Sequence, residues 1–254
     1  MRVFALSDIH LDYEENRLWL SNLSDADYRS DILILAGDIS DETQLIEWCF
    51  ILLQRKFLKV FFVPGNHDLW VSRNQGMTSI EKFQLIGQLA RDHRICMEAY
   101  HYGPLSIVPL LGWYDYSFGP PSEQLLQSWV DFQACRWPDG MTADDITRHF
   151  LDLNQPVLSV QNDVVISFSH FVPRIDLMPD YIPAHYRYIY PALGSAALDR
   201  QCRRLGARRH LHVYGHSHLN RGVVVDDIEY INNAFGYPSE QHISRKQLLC
   251  IYEQ

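Results

Sequence analysis

The chain has 254 residues, 47% of them hydrophobic and 21% charged, with a formal net charge of −9 at pH 7. Such a chain can bury one full core, so a single domain over 1–254 is expected, and its acidic balance works against nucleic acid as a partner unless one face is locally basic. No uncharged apolar stretch reaches the roughly 18 residues of a membrane span, and the first apolar run is too short for a secretory signal, so neither membrane association nor export is expected.

In chain order, the first apolar run, Val3 to Leu6, reads as a buried strand and ends at Asp8-Ile9-His10. The second, Ile32 to Ala36, ends at Gly37-Asp38. A helix is expected from Asp41 to Phe57, with Asp41 capping its start, Gln44 three residues on, and Leu45, Cys49, Leu52 and Lys56 along one face. It would return the chain so that Val60 to Val63, the third strand, runs parallel and ends at Gly65-Asn66-His67-Asp68. A second helix is expected from Ile80 to Arg91. Val164 to Phe168 then leads into Ser169-His170, and a third helix, Ser195 to Leu205, precedes the strand Leu211 to Tyr214 and the segment Gly215-His216-Ser217-His218.

Short apolar runs of this kind fit a sheet covered on both faces. Ligands of open α/β sheets bind beyond the carboxyl ends of the strands, and here each polar segment follows its strand. Gly37, Gly65 and Gly215 sit at the bends, where a residue without a side chain lets the backbone turn sharply. The five segments together supply carboxylate, amide and imidazole donors for a metal site; His216 and His218, two apart in an extended loop, point to one side.

Two insertions flank these segments. The first, 113–156, carries Tyr114, Asp115, Tyr116, Trp129 and Trp137 and reads as a small helical cap. The second, 171–191, holds Arg174, Tyr181, His185, Tyr186, Arg187, Tyr188 and Tyr190 just after His170. Arg174 is the single residue there expected to touch a substrate phosphate, because it lies four positions from a ligand candidate and arginine pairs with phosphate oxygens as a fork. The other aromatics of the loop are expected to pack it down. Arg200, Arg203, Arg204, Arg208 and Arg209 read as the solvated face of the third helix and its exit, not as a nucleic-acid groove. Five dispersed cysteines with no Cys-x-x-Cys pair fit free thiols in a reducing cytoplasm.

The string Asp8-x-His10, Gly37-Asp38, Gly65-Asn66-His67-Asp68, His170, Gly215-His216-x-His218 resembles the signature of the calcineurin-like metallophosphoesterases, and no signature position is missing between Asp8 and His218. The resemblance implies an α-β-β-α sandwich, with two mixed central sheets flanked by helices. It implies one metal held by Asp8, His10 and His218, a second by Asn66, His170 and His216, and Asp38 bridging them. Four imidazoles, two carboxylates and an amide without a thiolate suit manganese, iron or zinc better than magnesium alone.

Two such ions would activate a bridging hydroxide for in-line attack on a phosphate ester. His67, not a ligand in the resembling family, is expected to assist the leaving group, with Asp68 holding its ring and favouring its charged form. The expected substrate is a small phosphate ester, most readily a phosphodiester. Departures from the Gly-Asp-x-x-Asp-Arg-Gly and Gly-Asn-His-Glu strings set the protein serine/threonine phosphatases aside. A non-catalytic interaction protein that kept the fold, and a nuclease, remain the alternatives; the number of associating chains is left open.

Overall fold

The computed structural model of the protein describes residues 1–254. Strand β1 (Arg2–Leu6) lies between β2 (Ile32–Leu35) and β10 (Leu249–Glu253), and β2 pairs on its far side with β3 (Lys59–Phe62). Pairing is parallel from β1 to β3 and antiparallel only at β10. The second sheet runs β4 (Tyr100–Tyr102), β5 (Leu105–Pro109), β6 (Gln161–Phe168), β7 (Gly206–Tyr214), β9 (Ile228–Asn232), β8 (Arg221–Val225), with antiparallel pairs at the two edges and parallel pairs between.

The period-2 geometry of strands explains why these runs are apolar throughout. Val3, Ala5, Ile32, Ile34 and Phe61 face Ile107, Ile166, Phe168, Leu211 and Val213 across the gap between the sheets. The alternate residues, Phe4, Leu6, Leu33, Leu35, Val60 and Phe62, point outward into a larger apolar layer beneath the helices. At about 25 cal/mol per Å² of apolar surface, two such layers dominate the stability of the fold.

The helices on these outer faces are α1 (Glu14–Asn22), α2 (Thr43–Lys56), α3 (Ser79–Asp92) and α7 (Ala196–Cys202). The helix expected from Asp41 starts two residues later, and no side chain caps it. Asp41 is drawn away by Arg73, whose Nε donates to it at 2.9 Å. The helix after Met77 is started cleanly by a reciprocal Thr78–Glu81 capping box. The helix expected from Ser195 to Leu205 is shorter, Ala196–Cys202, because Ser195 is its cap and Arg203 ends it before Gly206 opens β7, which also takes Arg208 and Arg209.

Between Trp113 and Pro156 the chain forms α4 (Glu123–Ser128), α5 (Asp131–Ala134) and α6 (Ala143–Leu153). The 171–191 stretch winds through two 3-10 segments, Ile175–Leu177 and Ala184–Ala192. No helix is long and apolar enough to cross a membrane.

Candidate metal centre

All five polar segments lie at one end of the sandwich, because β1, β2, β3, β6 and β7 run parallel within their sheets and each segment follows its strand. The loops after β1 and β2 are laced together: Asp8 N–H donates to the Gly37 carbonyl at 2.9 Å and His10 N–H to the Asp38 carbonyl at 3.1 Å. His216 N–H reaches across to the Asp8 carboxylate at 2.9 Å.

Five donor residues sit in left-handed backbone conformations: Asp8 at φ 53°, His10 at 41°, Asp38 at 57°, His216 at 66° and His218 at 52°. Each such turn costs on the order of 1 to 3 kcal/mol, and strain of this kind gathers where a side chain must be aimed. Asp and His tolerate the conformation better than most residues, which suits them to both tasks. At Gly37 and Gly65 even a methyl group is excluded: a Cβ on Gly37 would lie 2.5 Å from His170 Nδ1, and one on Gly65 would collide with the Asp38 carboxylate.

The side chains converge in two groups. Asp8, His10, Asp38 and His218 bring one ligand atom each within 4.8 Å of one another, as do Asp38, His170 and His216, so Asp38 belongs to both. Asn66 joins the second group, its Oδ1 3.1 Å from His170 Nε2.

The protonation pattern decides whether a cation fits. His170 Nδ1–H donates to the Ala36 carbonyl at 2.9 Å, and His216 Nε2–H donates to the Ala192 carbonyl at 3.0 Å. That leaves a bare lone pair on His170 Nε2 and one on His216 Nδ1, 3.1 Å apart, the first of them also 3.1 Å from the Asn66 oxygen. Three acceptors facing one another in a buried place repel unless a positive charge lies between them.

In the other group His218 Nδ1–H donates to Glu240 at 2.6 Å, turning Nε2 toward His10 Nε2 at 3.0 Å and Asp8 Oδ1 at 3.3 Å. His10 Nδ1 is buried with no partner at all. The donor set therefore fits a metal in both groups, and the tethering of the far nitrogens of His170, His216 and His218 to a carbonyl or carboxylate is the usual way a ligand imidazole is oriented.

Electrostatics agree. Burial depresses His170 to about 3 and His216 to about 4, so both are neutral and able to coordinate. Burial opposes protonation of His218 too, but Asp8 and Glu240 on either side outweigh it and hold the ring at about 10. Asp8 responds in the opposite sense: burial pushes its carboxyl up, yet His218 holds it below the ordinary range. A proton on His218 occupies the place a cation would take, and a bound metal displaces it. Burial, with Asp8 and Asp68 nearby, raises Asp38.

His67 stands at the edge of this centre. Its Nε2 is 3.9 Å from Asp38 Oδ2, and its ring stacks on Trp70 with centroids 3.7 Å apart. Burial and then the surrounding imidazoles push it well below its usual value.

The role expected of Asp68 is corrected here. Its carboxylate accepts backbone N–H groups from Asp38, Ile39, Ser40 and Gly65 at 2.8 to 3.2 Å, stapling the Gly37 loop to the Gly65 loop, and makes no hydrogen bond to the His67 ring. Burial raises it to about 6 against the pull of those four donors. Buried Lys82 adds to the stitching by donating to the carbonyls of Asp41 and Trp70.

Arg174 is corrected as well. Its guanidinium is engaged by Asp176, Asp226 and Asp199, and it lines a separate surface concavity with Ser117, Pro173 and Arg203. Arg174 is four residues from His170 in the chain, but its charge is taken up by these three aspartates.

Beside His67 opens a cleft of about 250 Å³, walled by Trp70, Trp129, Val130, Tyr188 and Tyr237, with Asn66, Ser128 and Asp131 as its other polar groups. No sequence motif marks Asp131, Tyr237 or Glu240; of the cleft's aromatic wall, Trp129 comes from the first insertion and Tyr188 from the second.

An α-β-β-α sandwich with a histidine and aspartate cluster at the strand ends defines a metal-dependent phosphoesterase. A family model described as calcineurin-like phosphoesterase matches residues 1–220, and the chain belongs to that family. A curated relative, the acyl-carrier-protein phosphodiesterase PptH of Mycobacterium tuberculosis, is 33% identical over 127 residues, a stretch that makes up 46% of this chain and only 39% of that relative's length. The crystal structure of phosphopantetheinyl hydrolase (PptH) from Mycobacterium tuberculosis has the same fold, with a TM-score of 0.74 at 22% identity over 95% of this chain and 93% of that one.

Proposed function

We propose that this chain is a dinuclear hydrolase of a small phosphodiester, working as a single catalytic domain. The observation that carries the reading is Asp38: one carboxylate shared by two convergent donor groups is the geometry of a bridging ligand. Asp8, His10 and His218 would hold one ion, and Asn66, His170 and His216 the other. The imidazole-rich, thiolate-free set favours manganese, iron or zinc. When bound, two such ions polarise a phosphoryl oxygen and lower the pKa of water toward about 7.

The protein's own groups do the rest. His67, its plane fixed by the Trp70 stack, offers a nitrogen to the departing oxygen, and Asp68 keeps the two loops that present Asp38 and Asn66 at a fixed separation. The cleft beside His67 carries no lysine or arginine, so it suits an uncharged ester group better than a polyphosphate chain. A phosphopantetheinyl diester of an acyl-carrier protein, the bond named for the relative, is the first substrate to try. Five free cysteines fit a cytoplasmic setting.

Elemental analysis and a turnover assay test this together. Two metals per chain and hydrolysis of bis-p-nitrophenyl phosphate are expected; two metals with no turnover of any mono- or diester would overturn it. His67→Ala should keep both metals and lose about 10² to 10⁴ in rate on alkyl esters, with a smaller loss on p-nitrophenyl esters, whose leaving group needs no proton. Equal losses on both would remove His67 from the leaving-group side.

A further inference from the structure

Asp131 is a buried carboxylate with no basic side chain on it, an arrangement that is costly unless every oxygen lone pair is used. Its partners are all donors. Asn66 Nδ2 reaches Oδ1 at 2.8 Å, Trp70 Nε1 reaches the same oxygen at 2.6 Å, and Trp129 Nε1 reaches Oδ2 at 2.7 Å. Each of the three touches the metal centre with its other side. Asn66 turns its oxygen to His170, Trp70 stacks under His67, and the Trp129 ring stands edge-on to His216, with centroids 5.8 Å apart.

We infer that Asp131, contributed by the 113–156 insertion, is the positioning residue that sets the Asn66 amide for metal binding and fixes the plane of His67 through Trp70. The inference rests on the two-metal reading. An ionised carboxylate only accepts, so the Asn66 nitrogen must face it and the oxygen must face the centre; nothing else in the site dictates that choice. A negative charge behind the NH2 also polarises the amide and makes its oxygen a stronger donor to a cation. One short helix in the insertion thereby orients a ligand, a leaving-group residue and a wall of the cleft at once.

The test is D131N, beside D131E, in the full-length protein. Asparagine at 131 keeps one acceptor oxygen and turns an NH2 on the remaining N–H donors, so Asn66, Trp70 and Trp129 can no longer all be answered, and it removes the negative charge behind the Asn66 amide. Isothermal titration with Mn²⁺ should then show one of the two sites weakened about 10- to 100-fold and the other unchanged, with part of the affinity restored in D131E. In D131N the loss of rate should also shift between alkyl and p-nitrophenyl esters, which a loosened fold alone would not produce.

The metal-free wild-type protein gives a readout that needs neither folding of a variant nor turnover. Two of the six indole N–H resonances, those of Trp70 and Trp129, should lie downfield and exchange slowly. Two indoles in fast exchange would overturn the inference, as would wild-type affinity at both sites in D131N, while leaving the metal reading intact. Wild-type protein that binds no Mn²⁺, Fe²⁺ or Zn²⁺ would remove both.

Discussion

Two histidine clusters lie in this chain within a few residues of each other, and they are built in opposite ways. Beneath α7, His210 and His212 project from the outer face of β7 toward Ser167 and Cys202. There the hydrogen bonds form a closed sequence. Ser169 donates its hydroxyl to the Phe171 carbonyl at 2.9 Å, so His212 must donate Nε2–H to Ser169 at 3.1 Å and accept from Ser167 at Nδ1; His210 Nε2–H then donates to Ser167 at 2.8 Å. No lone pair confronts another, and the backbone is regular strand. After Tyr214 the chain leaves β7, His216 and His218 adopt left-handed turns, the inward nitrogen of His216 meets another acceptor head-on, and that of His218 faces the Asp8 carboxylate across the place a cation would take. What distinguishes a ligand imidazole from a core imidazole is therefore not burial, which both share, but whether its inward nitrogen already has a complementary hydrogen-bond partner.

Three measurements break or sharpen that contrast. The largest effect is expected for Asp38→Ala, which removes the carboxylate common to both donor groups: loss of at least one metal by elemental analysis, and a fall in kcat/KM of several kcal/mol, roughly 10³-fold. If Asp38→Ala retains two metals and more than a tenth of the activity, the shared-ligand geometry is wrong.

The acid response of the β7 cluster comes next. Burial holds His210 near about 4 and His212 near about 3, against an ordinary value of 6.5. As pH falls below 6.5 the unfolded chain gains protons on both rings while the native chain gains none until those lower values. Stability therefore declines through that window, with a limiting contribution of about 2.7 kcal/mol per pH unit from two protons. Urea denaturation of the metal-free protein at pH 7 and pH 5 should show it, and His210→Gln should remove about half of that contribution; an unchanged slope would mean His210 is protonated in the native state.

The smallest effect belongs to Arg174→Ala. A guanidinium occupied by three aspartates on the outer face should leave kcat/KM within about twofold and cost about 1 kcal/mol of stability by thermal melting. A tenfold rise in KM would return Arg174 to the substrate.

These cases also show what the sequence made legible. The strand-end motifs named the seven side chains that the structure gathers, and the apolar runs before them marked the five strands that carry them. Strands β4, β8, β9 and β10 and helix α1 escaped because their residues are polar on one side or short, and β5 because its buried run carries Ser106 and ends in no polar motif. Asp68 and Arg174 were misjudged for one reason: adjacency in the chain was read as adjacency in space, whereas a 3-10 turn after Asn66 sends Asp68 back into the loop amides and three aspartates take up the charge of Arg174. Asp131 and Glu240 carry no motif because their partners lie 65 and 22 residues away.

The attachment of Asp131 to the first insertion bears on engineering. Exchanging that segment among relatives to change what the cleft accepts would also exchange the anchor behind Asn66, so a chimera that lost the carboxylate would be altered in metal loading before its selectivity could be compared. Grafts that preserve the stretch from Trp129 to Asp131 and vary only the flanking helices would separate the two properties.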